Sequence, residues 1–307
     1  MRRLLPLLLL FLGLTACAAP DFCALVPLAS MPLETRNNLL FVTAGIGGRQ
    51  VLLLVDTGAE RTILTEAAVA QLALPHDPQH ITRSFGIGGT SANWDAFIPG
   101  LTLGDTRFPI YRVAVGDFSM DHTGGPRADG LLGADILLAF DVDIDAPHHR
   151  LTLYRARRCA DARPPWHRSA IEIKGLEAHR DRLLVPIALD GVPGMAILDT
   201  GAQATTIGMA MARRLGLTEP LLATDHIIMA HGAAPEPLAV HVHRFRELLV
   251  GAARVENPTL AVVPRTAAIG DALLGGDFLR GRRVWLSFDT RRLFVSVDAT
   301  SRLAAIR

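Results

Sequence analysis

Two copies of a short acidic motif are the part of this sequence that could do chemistry. In each half of the chain an apolar run leads into Asp-Thr-Gly-Ala, at residues 56–59 and again at residues 199–202. An aspartate at the end of a buried strand lies where water is scarce. Two such carboxyls about 3 Å apart cannot both ionise easily, so they share one proton. The ionised carboxyl can act as a general base toward a water, and the protonated one as a general acid toward a carbonyl oxygen.

A second repeated motif indicates that the acidic motif belongs to a duplicated unit. Leu-Leu-Gly occurs at residues 131–133 and at residues 273–275. From 56 to 199 is a shift of 143 residues, and from 131 to 273 a shift of 142, so the two motifs recur together and in order. One short motif can recur by chance, whereas two that recur at nearly the same spacing indicate an internal duplication.

The elements that must position these motifs follow the same plan in both units. Two apolar strands separated by a glycine-containing turn lead into each Asp-Thr-Gly, and a short helix follows. Glycine-punctuated strands and a closing set of apolar strands complete each unit, which predicts a mostly β fold with short helices. The predicted helices are 65–72 and 209–215; the predicted strands are 39–44, 50–55, 96–103, 111–115, 142–153, 183–189, 195–198, 227–232, 238–250, 259–263 and 284–297.

The domain organisation follows from this repeat. Residues 37–154 are predicted to form an N-terminal lobe and residues 171–307 a C-terminal lobe. Residues 155–170 carry arginines, a Pro-Pro pair and a cysteine, which is typical of a connection. Residues 17–36 are predicted to be a tether that leads into a first strand, and residues 1–16 a signal peptide.

The combined pattern resembles a known enzyme family. The pattern resembles that of the aspartic peptidases related to retroviral proteases and pepsin. It consists of two apolar residues followed by Asp-Thr-Gly-Ala, and of a later segment with two apolar residues and a glycine. Alanine after the glycine, at Ala59 and Ala202, is similar to the retropepsin-like bacterial members. The resemblance covers about residues 37–300 and implies two pseudo-twofold-related β-barrel lobes of the acid-protease type. It also implies a monomer, because both motifs lie within one chain.

The resemblance assigns a role to the residues of each acidic motif. It implies that Asp56 and Asp199 are the catalytic pair. It also implies that Thr57 and Thr200 form hydrogen bonds across the interface between the lobes and so lock the two loops. No cofactor or metal is expected, since the two carboxyls activate the water.

Four glycines are expected to support the pair. Gly58 and Gly201 are expected to permit a turn that a Cβ would obstruct and to turn a backbone N–H toward the carboxylate. The resemblance implies that Gly133 and Gly275 lie behind the pair, where the Leu-Leu-Gly strand passes under the Asp loop. The lack of a side chain there permits close approach of the backbones.

A mobile hairpin over the substrate is also implied by the resemblance. Ile87, Gly88, Gly89 and Thr90 have the composition of a flap tip, because glycines permit mobile turns. The alternative is a plain hairpin turn. Residues 231–234 are a weaker candidate for a second flap.

The alanines after the two motifs lead to a prediction about pH. Ala59 and Ala202 lack a hydroxyl that could donate a hydrogen bond to the adjacent carboxylate. Fewer hydrogen bonds to the ionised form should leave the acidic pKa of the pair higher than in pepsin. We therefore expect activity at mildly acidic to near-neutral pH.

The first residues predict export. Two arginines precede an apolar stretch at residues 4–14, which is too short to span a bilayer comfortably. The following Leu-Thr-Ala-Cys resembles the lipobox of bacterial lipoproteins, which implies lipidation at Cys17 and a membrane anchor; an ordinary secretory signal is the alternative. Ala18 after the cysteine favours the periplasmic face of the outer membrane. Cys23 and Cys159 could form one disulfide or remain two reduced thiols.

The remaining composition excludes several other functions. The 31 basic and 30 acidic residues give a net charge of +1, so no basic surplus favours nucleic-acid binding. His241 and His243 lie two residues apart on a predicted strand, but no carboxylate–histidine set accompanies them as a metal site requires. Asp135 and Asp277, which follow the Leu-Leu-Gly motifs, are expected to cap a short helix.

Together these features predict a lipid-anchored aspartic endopeptidase that acts on polypeptides. The alternative is a non-catalytic, peptide- or partner-binding envelope lipoprotein that has kept the fold. An intact aspartate in both motifs favours the enzyme, because nothing else in such a fold requires two facing carboxyls.

Overall fold

The computed structural model of the chain describes residues 24–86, 89–116, 127–157, 162–174, 176–179, 181–230, 238–263 and 270–297. Strands dominate this part of the chain, and its helices span no more than seven residues each. The predicted fold class, mostly β with short helices in two lobes, is confirmed. None of the helices in these ranges is long and apolar enough to cross a bilayer.

The first half of the chain contains twelve described strands and two helices. The helix α1 begins after Thr65, whose side chain accepts a hydrogen bond from the N–H of Ala68 and so caps the first turn. The elements are β1 (Ala24–Arg36), β2 (Leu39–Ile46), β3 (Arg49–Val55), β4 (Ile63–Leu64), α1 (Glu66–Leu72), β5 (His76–Gly86), β6 (Gly89–Phe97), β7 (Leu101–Leu103), β8 (Thr106–Phe108), β9 (Arg112–Val115), β10 (Gly130–Leu132), α2 (Ala134–Leu137), β11 (Asp141–Asp145) and β12 (Arg150–Arg157).

The second half repeats this order with additions. Its described elements are a 3-10 helix (His167–Ser169), β13 (Ala170–Ile173), β14 (Glu177–His179), β15 (Arg182–Leu189), β16 (Val192–Leu198), β17 (Thr206–Gly208), α3 (Met209–Arg214), α4 (Glu219–Leu222), β18 (His226–Ala230), β19 (Leu238–Arg244), β20 (Glu247–Val250), β21 (Ala253–Glu256), β22 (Thr259–Val263), β23 (Ala272–Leu274), α5 (Gly276–Leu279), β24 (Arg283–Ser287) and β25 (Arg292–Ser296).

The strands around each acidic motif are connected in the same way. In the first lobe β10 pairs in parallel with β3 and antiparallel with β4. In the second lobe β23 pairs in parallel with β16 and antiparallel with β17. Each Leu-Leu strand therefore lies directly beside the strand that delivers the aspartate.

A six-stranded antiparallel sheet joins the two lobes. Its order is β13-β25-β24-β11-β12-β1, and β11 pairs with β24 at its centre, with Val142 opposite Leu286. On β24, Arg283 donates to both carboxylate oxygens of Asp143 on β11, at 3.0 and 2.7 Å. Burial of both strands at their apolar positions makes this sheet part of the core.

Four of the predicted strand stretches each contain two strands in the structure: 96–103, 142–153, 238–250 and 284–297. The apolar stretch 238–250 is divided into β19 and β20. Asp190 accepts hydrogen bonds from the N–H groups of Arg246 and Glu247, at 2.8 and 2.9 Å, and these bonds hold the chain as it enters β20. Apolar periodicity does not register such a break, because the contact comes from a residue 56 positions away.

Candidate active site

The two aspartates of the repeated motifs occupy equivalent positions at the interface between the lobes. Asp56 follows β3 and Asp199 follows β16. The N–H of Asp56 donates to the carbonyl of Leu132, and that of Asp199 donates to the carbonyl of Leu274, each at 3.0 Å. The neighbouring Leu-Leu strand therefore fixes the backbone from which each carboxyl projects.

The structure brings these two carboxyls together. The two carboxyls are close enough for each to affect the pKa of the other. A Cβ placed on Gly58 would lie 2.4 Å from Cγ of Asp199, and one placed on Gly201 would lie 2.4 Å from Cγ of Asp56. Each glycine thus lies against the carboxyl of the opposite lobe. Asp56 and Asp199 are both half-buried.

Glycine is required at these two positions by close packing and not by the backbone conformation of the turn. Neither Gly58 nor Gly201 is among the residues with a left-handed backbone, so the turn itself does not demand glycine. Close approach of the opposite carboxyl demands it, since any Cβ would overlap that group. The expectation that the glycine N–H faces the carboxylate agrees with the hydrogen bonds described next.

Backbone N–H groups hold each carboxyl in place. Oδ1 of Asp56 accepts hydrogen bonds from the N–H groups of Gly58 and Ala59, both at 2.9 Å. Oδ1 of Asp199 accepts from the N–H groups of Gly201 and Ala202, at 2.9 and 3.1 Å. One oxygen of each carboxyl is thus bound to its own loop.

Burial raises the pKa values of both carboxyls, and the charge of Asp199 adds to the rise at Asp56. Burial, followed by the charge of Asp199, raises the pKa of Asp56 to about 8, against the opposing effect of the two N–H donors. Burial also raises the pKa of Asp199, opposed by its backbone hydrogen bonds, then by the side chain of Asp56 and then by the charge of Arg182. An arrangement of this kind can retain one proton between two carboxyls near neutral pH.

The two threonines of the motifs exchange hydrogen bonds across the interface. The Thr57 hydroxyl donates to the carbonyl of Leu198 at 2.7 Å, and that of Thr200 donates to the carbonyl of Val55 at 2.6 Å. Each hydroxyl also accepts from the backbone N–H of the opposite threonine, at 3.1 and 3.0 Å. Because both threonines are buried, these four bonds have no competition from water.

The glycines of the Leu-Leu-Gly motifs lie against the chain that follows each Asp-Thr-Gly. A Cβ on Gly133 would lie 2.4 Å from the backbone carbon of Arg61, and one on Gly275 would lie 2.6 Å from that of Ala204. The close approach is therefore to the residue five positions beyond each aspartate.

Asp135 and Asp277 do not cap the short helices as expected but bind a threonine of the preceding loop. The N-cap positions of α2 and α5 belong to Gly133 and Gly275. Oδ1 of Asp135 instead accepts from the N–H and the hydroxyl of Thr62, at 2.9 and 2.7 Å. Asp277 makes the same two bonds with Thr205, at 2.9 and 2.7 Å. Each aspartate thereby binds the chain leaving the Asp-Thr-Gly loop to the short helix.

The predicted flap coincides with the end of a hairpin. Strands β5 and β6 pair from His76 to Ala96 at the base, and Gly89 and Thr90 belong to the last pairs before the tip. Ile87 and Gly88 lie outside the described residues, as do residues 231–234 of the second candidate, which fall between β18 and β19. A flap role stays a prediction for both hairpins.

A buried polar network under this hairpin was missed by the sequence interpretation. Asp95 on β6 is almost fully buried and accepts from the Thr82 hydroxyl at 2.6 Å and from Arg61 at 3.3 Å. Arg61 also donates to Thr82 at 2.6 Å. These bonds connect the hairpin to the chain five residues beyond Asp56. Nothing in the local sequence indicates them, because they join separate elements.

A second missed contact crosses between the lobes beside the pair. Arg182, the first residue of β15, forms an ion pair with Glu60 at 3.4 Å. Glu60 lies four residues beyond Asp56, and the charge of Arg182 also acts on Asp199.

The other predicted sites are not brought together by the described residues. Cys17, Cys23 and Cys159 lie outside them. Within the described ranges no group of three or more histidine, cysteine, aspartate or glutamate side chains could hold a metal ion. His243 lies 2.7 Å from a carboxylate oxygen of Asp225.

Comparison with known proteins agrees with this arrangement. A protein family described as "Aspartyl protease" matches residues 42–136 and again residues 185–278, which together make up more than half of the chain. The crystal structure of an aspartic proteinase from Irpex lacteus matches with a TM-score of 0.52 and 14% sequence identity, covering 91% of this chain and 100% of that one. At that identity the structural likeness speaks to the fold alone. A comparison with curated proteins found no match. The chain belongs to the aspartyl protease family, with the family's unit present twice.

Proposed function

We propose that this chain is an aspartic endopeptidase in which Asp56 and Asp199 together activate a water molecule. The observation that carries the proposal is the reciprocal placement of the two carboxyls, each lying against the glycine of the opposite loop. A water between them would lose a proton to the ionised carboxyl as its oxygen attacks the peptide carbonyl. The protonated carboxyl would give its proton to the carbonyl oxygen.

Collapse of the resulting tetrahedral intermediate requires the reverse transfers. The carboxyl that accepted the water's proton would donate it to the leaving amide nitrogen as the C–N bond breaks. The other carboxyl would recover its proton as the carbonyl re-forms. The raised pKa of the pair supports these roles, because one proton is then retained at near-neutral pH.

The substrate is proposed to be an extended polypeptide. Edge strands and hairpins near a catalytic pair offer main-chain hydrogen bonds to such a chain, with pockets that receive alternate side chains. On the hairpin β5–β6, Ile81 and Trp94 lie opposite each other and are both exposed. These side chains favour hydrophobic residues in the substrate.

A non-catalytic binding protein is the weaker alternative. Two neighbouring, half-buried carboxyls oppose ionisation of the pair, which costs stability when both are charged. Peptide binding alone gives no reason for that cost, whereas water activation needs the two groups side by side.

One chain is proposed to be sufficient for the reaction. Both carboxyls come from the same polypeptide, and the threonine bonds between the lobes are internal. We further propose an envelope lipoprotein anchored at Cys17. Incorporation of a radiolabelled fatty acid, lost in a Cys17→Ser variant, tests the anchor independently of catalysis.

Cleavage of a chemically unfolded protein tests the proposed activity. We expect the wild type to cut it, the Asp56→Asn and Asp199→Asn variants to lose at least about a thousandfold in kcat/KM, and a statine-type inhibitor to block the wild type. Circular dichroism and thermal unfolding of both variants confirm that they are folded. Peptide binding without turnover by the folded wild type would instead support the binding protein.

A further inference from the structure

The duplicated units allow each residue near the pair to be compared with its equivalent. Strands β2 and β15 are related by the same shift of 143 residues as the aspartates, since β2 begins at residue 39 and β15 at residue 182. β2 begins with Leu39, which is buried in an apolar cluster. β15 begins with Arg182. A cation therefore stands in one lobe where the other has a buried hydrocarbon side chain.

The contacts across the interface near these two positions also differ in charge. Arg182 faces Glu60 across the interface at 3.4 Å. The residue equivalent to Glu60 is Gln203, four residues beyond Asp199. There the contact across the interface is neutral: the side-chain amide of Asn38 donates to the carbonyl of Gln203 at 3.1 Å. One side of the pair thus has a charged contact between the lobes and the other an uncharged one.

The charged contact leaves Arg182 with capacity to act on the pair. Its Nε is buried and has no hydrogen-bond partner in the described part of the chain, and only a fifth of its side chain is exposed. A charge with little water around it acts over a longer range than one in solvent. Among the described residues no cation affects the pKa of Asp56, which burial and the charge of Asp199 raise and two backbone N–H groups lower. The pKa of Asp199 is lowered by two backbone N–H groups, by the side chain of Asp56 and by the charge of Arg182.

We propose that Arg182 is a positioning residue that breaks the symmetry of the pair. Its charge keeps Asp199 as the ionised member, which takes the proton of the attacking water. The shared proton then stays on Asp56, which acts as the general acid toward the carbonyl oxygen. This assignment of roles rests on the proposed function and adds to it the direction in which the reaction runs across the pair.

The charged side chains that act on Asp199 come from three elements. Asp56 contributes from the loop after β3, and Arg182 contributes from the start of β15. Glu60, on the chain beyond Asp56, acts in the opposite sense because it partly neutralises Arg182. Removal of Arg182 and removal of Glu60 should therefore shift the titration of Asp199 in opposite directions.

Dependence of kcat/KM on pH in three variants tests this. The acidic limb of that profile reports protonation of the base in the free enzyme. We expect Arg182→Gln to move the acidic limb to higher pH by roughly 0.5–1 unit. We expect Glu60→Gln to move it to lower pH, and Arg182→Lys, which keeps the charge, to leave it close to that of the wild type.

A purely structural ion pair gives a different result. Arg182→Gln and Glu60→Gln break the same contact, so a structural role would lower the thermal stability of both variants alike and leave both acidic limbs in place. That outcome, or a shift of both limbs in one direction, would overturn the proposal. NMR titration of the aspartate carboxyl carbons in the same proteins compares the pKa values of Asp56 and Asp199 without a substrate. A lower pKa for Asp56 than for Asp199 would also overturn the proposal.

Failure of this inference can be told from failure of the proposed function. A wild type that does not cleave, or an Asp199→Asn variant that still does, contradicts the proposed function. A wild type that depends on both aspartates, with acidic limbs unmoved in Arg182→Gln and Glu60→Gln, contradicts only the role of Arg182.

Discussion

The two lobes are alike in the groups that hold the carboxyls and differ in the groups around them. Asp56 and Asp199 each follow a seven-residue strand, accept two backbone N–H bonds and lie against the opposite glycine. Thr57 and Thr200 exchange equivalent bonds. The matching part of the duplication is thus the part that determines the geometry of the pair.

The differences lie in the residues around each acidic loop and affect their charge and the contacts that they make with other elements. The first lobe has an arginine that is bonded to the hairpin β5–β6, and the second has an alanine at the equivalent position. The second lobe has a glycine at the start of α5, against the backbone carbonyl of Asn38, where the first has an alanine at the start of α2. The unlike pairs are Glu60 and Gln203, Arg61 and Ala204, Leu39 and Arg182, and Ala134 and Gly276. Equal geometry with unequal surroundings permits two identical carboxyls to take different roles.

The largest expected effect tests the equal geometry. Gly58→Ala and Gly201→Ala each place a Cβ 2.4 Å from the carboxyl carbon of the opposite lobe, so the carboxyls must separate. Displacement of about 1 Å at reacting groups costs on the order of a hundredfold in rate, and we expect at least that loss of kcat/KM from either variant.

A matched control for these variants is Gly116→Ala. The nearest atom to a Cβ at Gly116 is Cγ2 of Ile63, at 3.5 Å, which is ordinary contact. Its kcat/KM should stay within about twofold of the wild type. Full activity in either Gly58→Ala or Gly201→Ala would mean that the carboxyls do not need this contact.

Much of this plan was accessible from the sequence, because it lies in repeated, local patterns. Mostly β class and short helices followed from apolar runs ending at glycines, and the shift of 143 residues indicated that two acidic loops would face each other. The ion pair of Arg182 with Glu60 joins residues from different lobes. No local pattern marks it, since an arginine at the start of a strand is ordinarily solvated. The function of Asp135 was misjudged for the same reason: its partner, Thr62, is 73 residues away.

The dependence of stability on pH tests whether the pair shares a proton. The pKa of Asp56 is about 8 in the folded chain and near 3.8 when unfolded, so the folded state holds a proton that the unfolded chain releases. The free energy of unfolding should therefore fall as pH rises from about 4 to about 8. Asp56→Asn and Asp199→Asn should both show a shallower fall, because the remaining carboxyl no longer faces a second charge.

Chemical denaturation of the three proteins at several pH values measures this slope. The difference between wild type and variant is the informative quantity, because other titrating groups contribute equally to both. A slope that changes in one variant and not in the other would show that the two carboxyls titrate independently.

A smaller effect is expected at the threonines. Thr57→Ala leaves the buried carbonyl of Leu198 and the N–H of Thr200 without a partner, and Thr200→Ala does the same to Val55 and Thr57. An unsatisfied buried group costs about 1–3 kcal/mol of unfolding free energy. Both variants should be destabilised to a similar extent, and Thr→Ser at either position should restore most of the loss because it keeps the hydroxyl. A double variant should cost less than the sum of the two, since the bonds are shared.

The smallest expected effect concerns the hairpin β5–β6, which is bonded to the acidic loop of the first lobe through Asp95 and Arg61. Asp95→Asn keeps the shape of the side chain but removes the charge that faces Arg61 and Arg112, at 3.3 and 3.6 Å. Because both arginines are about 40% exposed, water compensates part of the loss, which limits the cost to roughly 0.5–1 kcal/mol. If the hairpin closes over the substrate, this cost appears as a two- to fivefold rise in KM with kcat little changed. Asp225→Asn removes the partner of His243 beside β18–β19, where no such tie to Asp199 exists among the described bonds, and should leave KM unchanged. Equal effects from the two variants would mean that both hairpins contribute alike, and the contrast between the lobes would then be limited to the charge at Arg182.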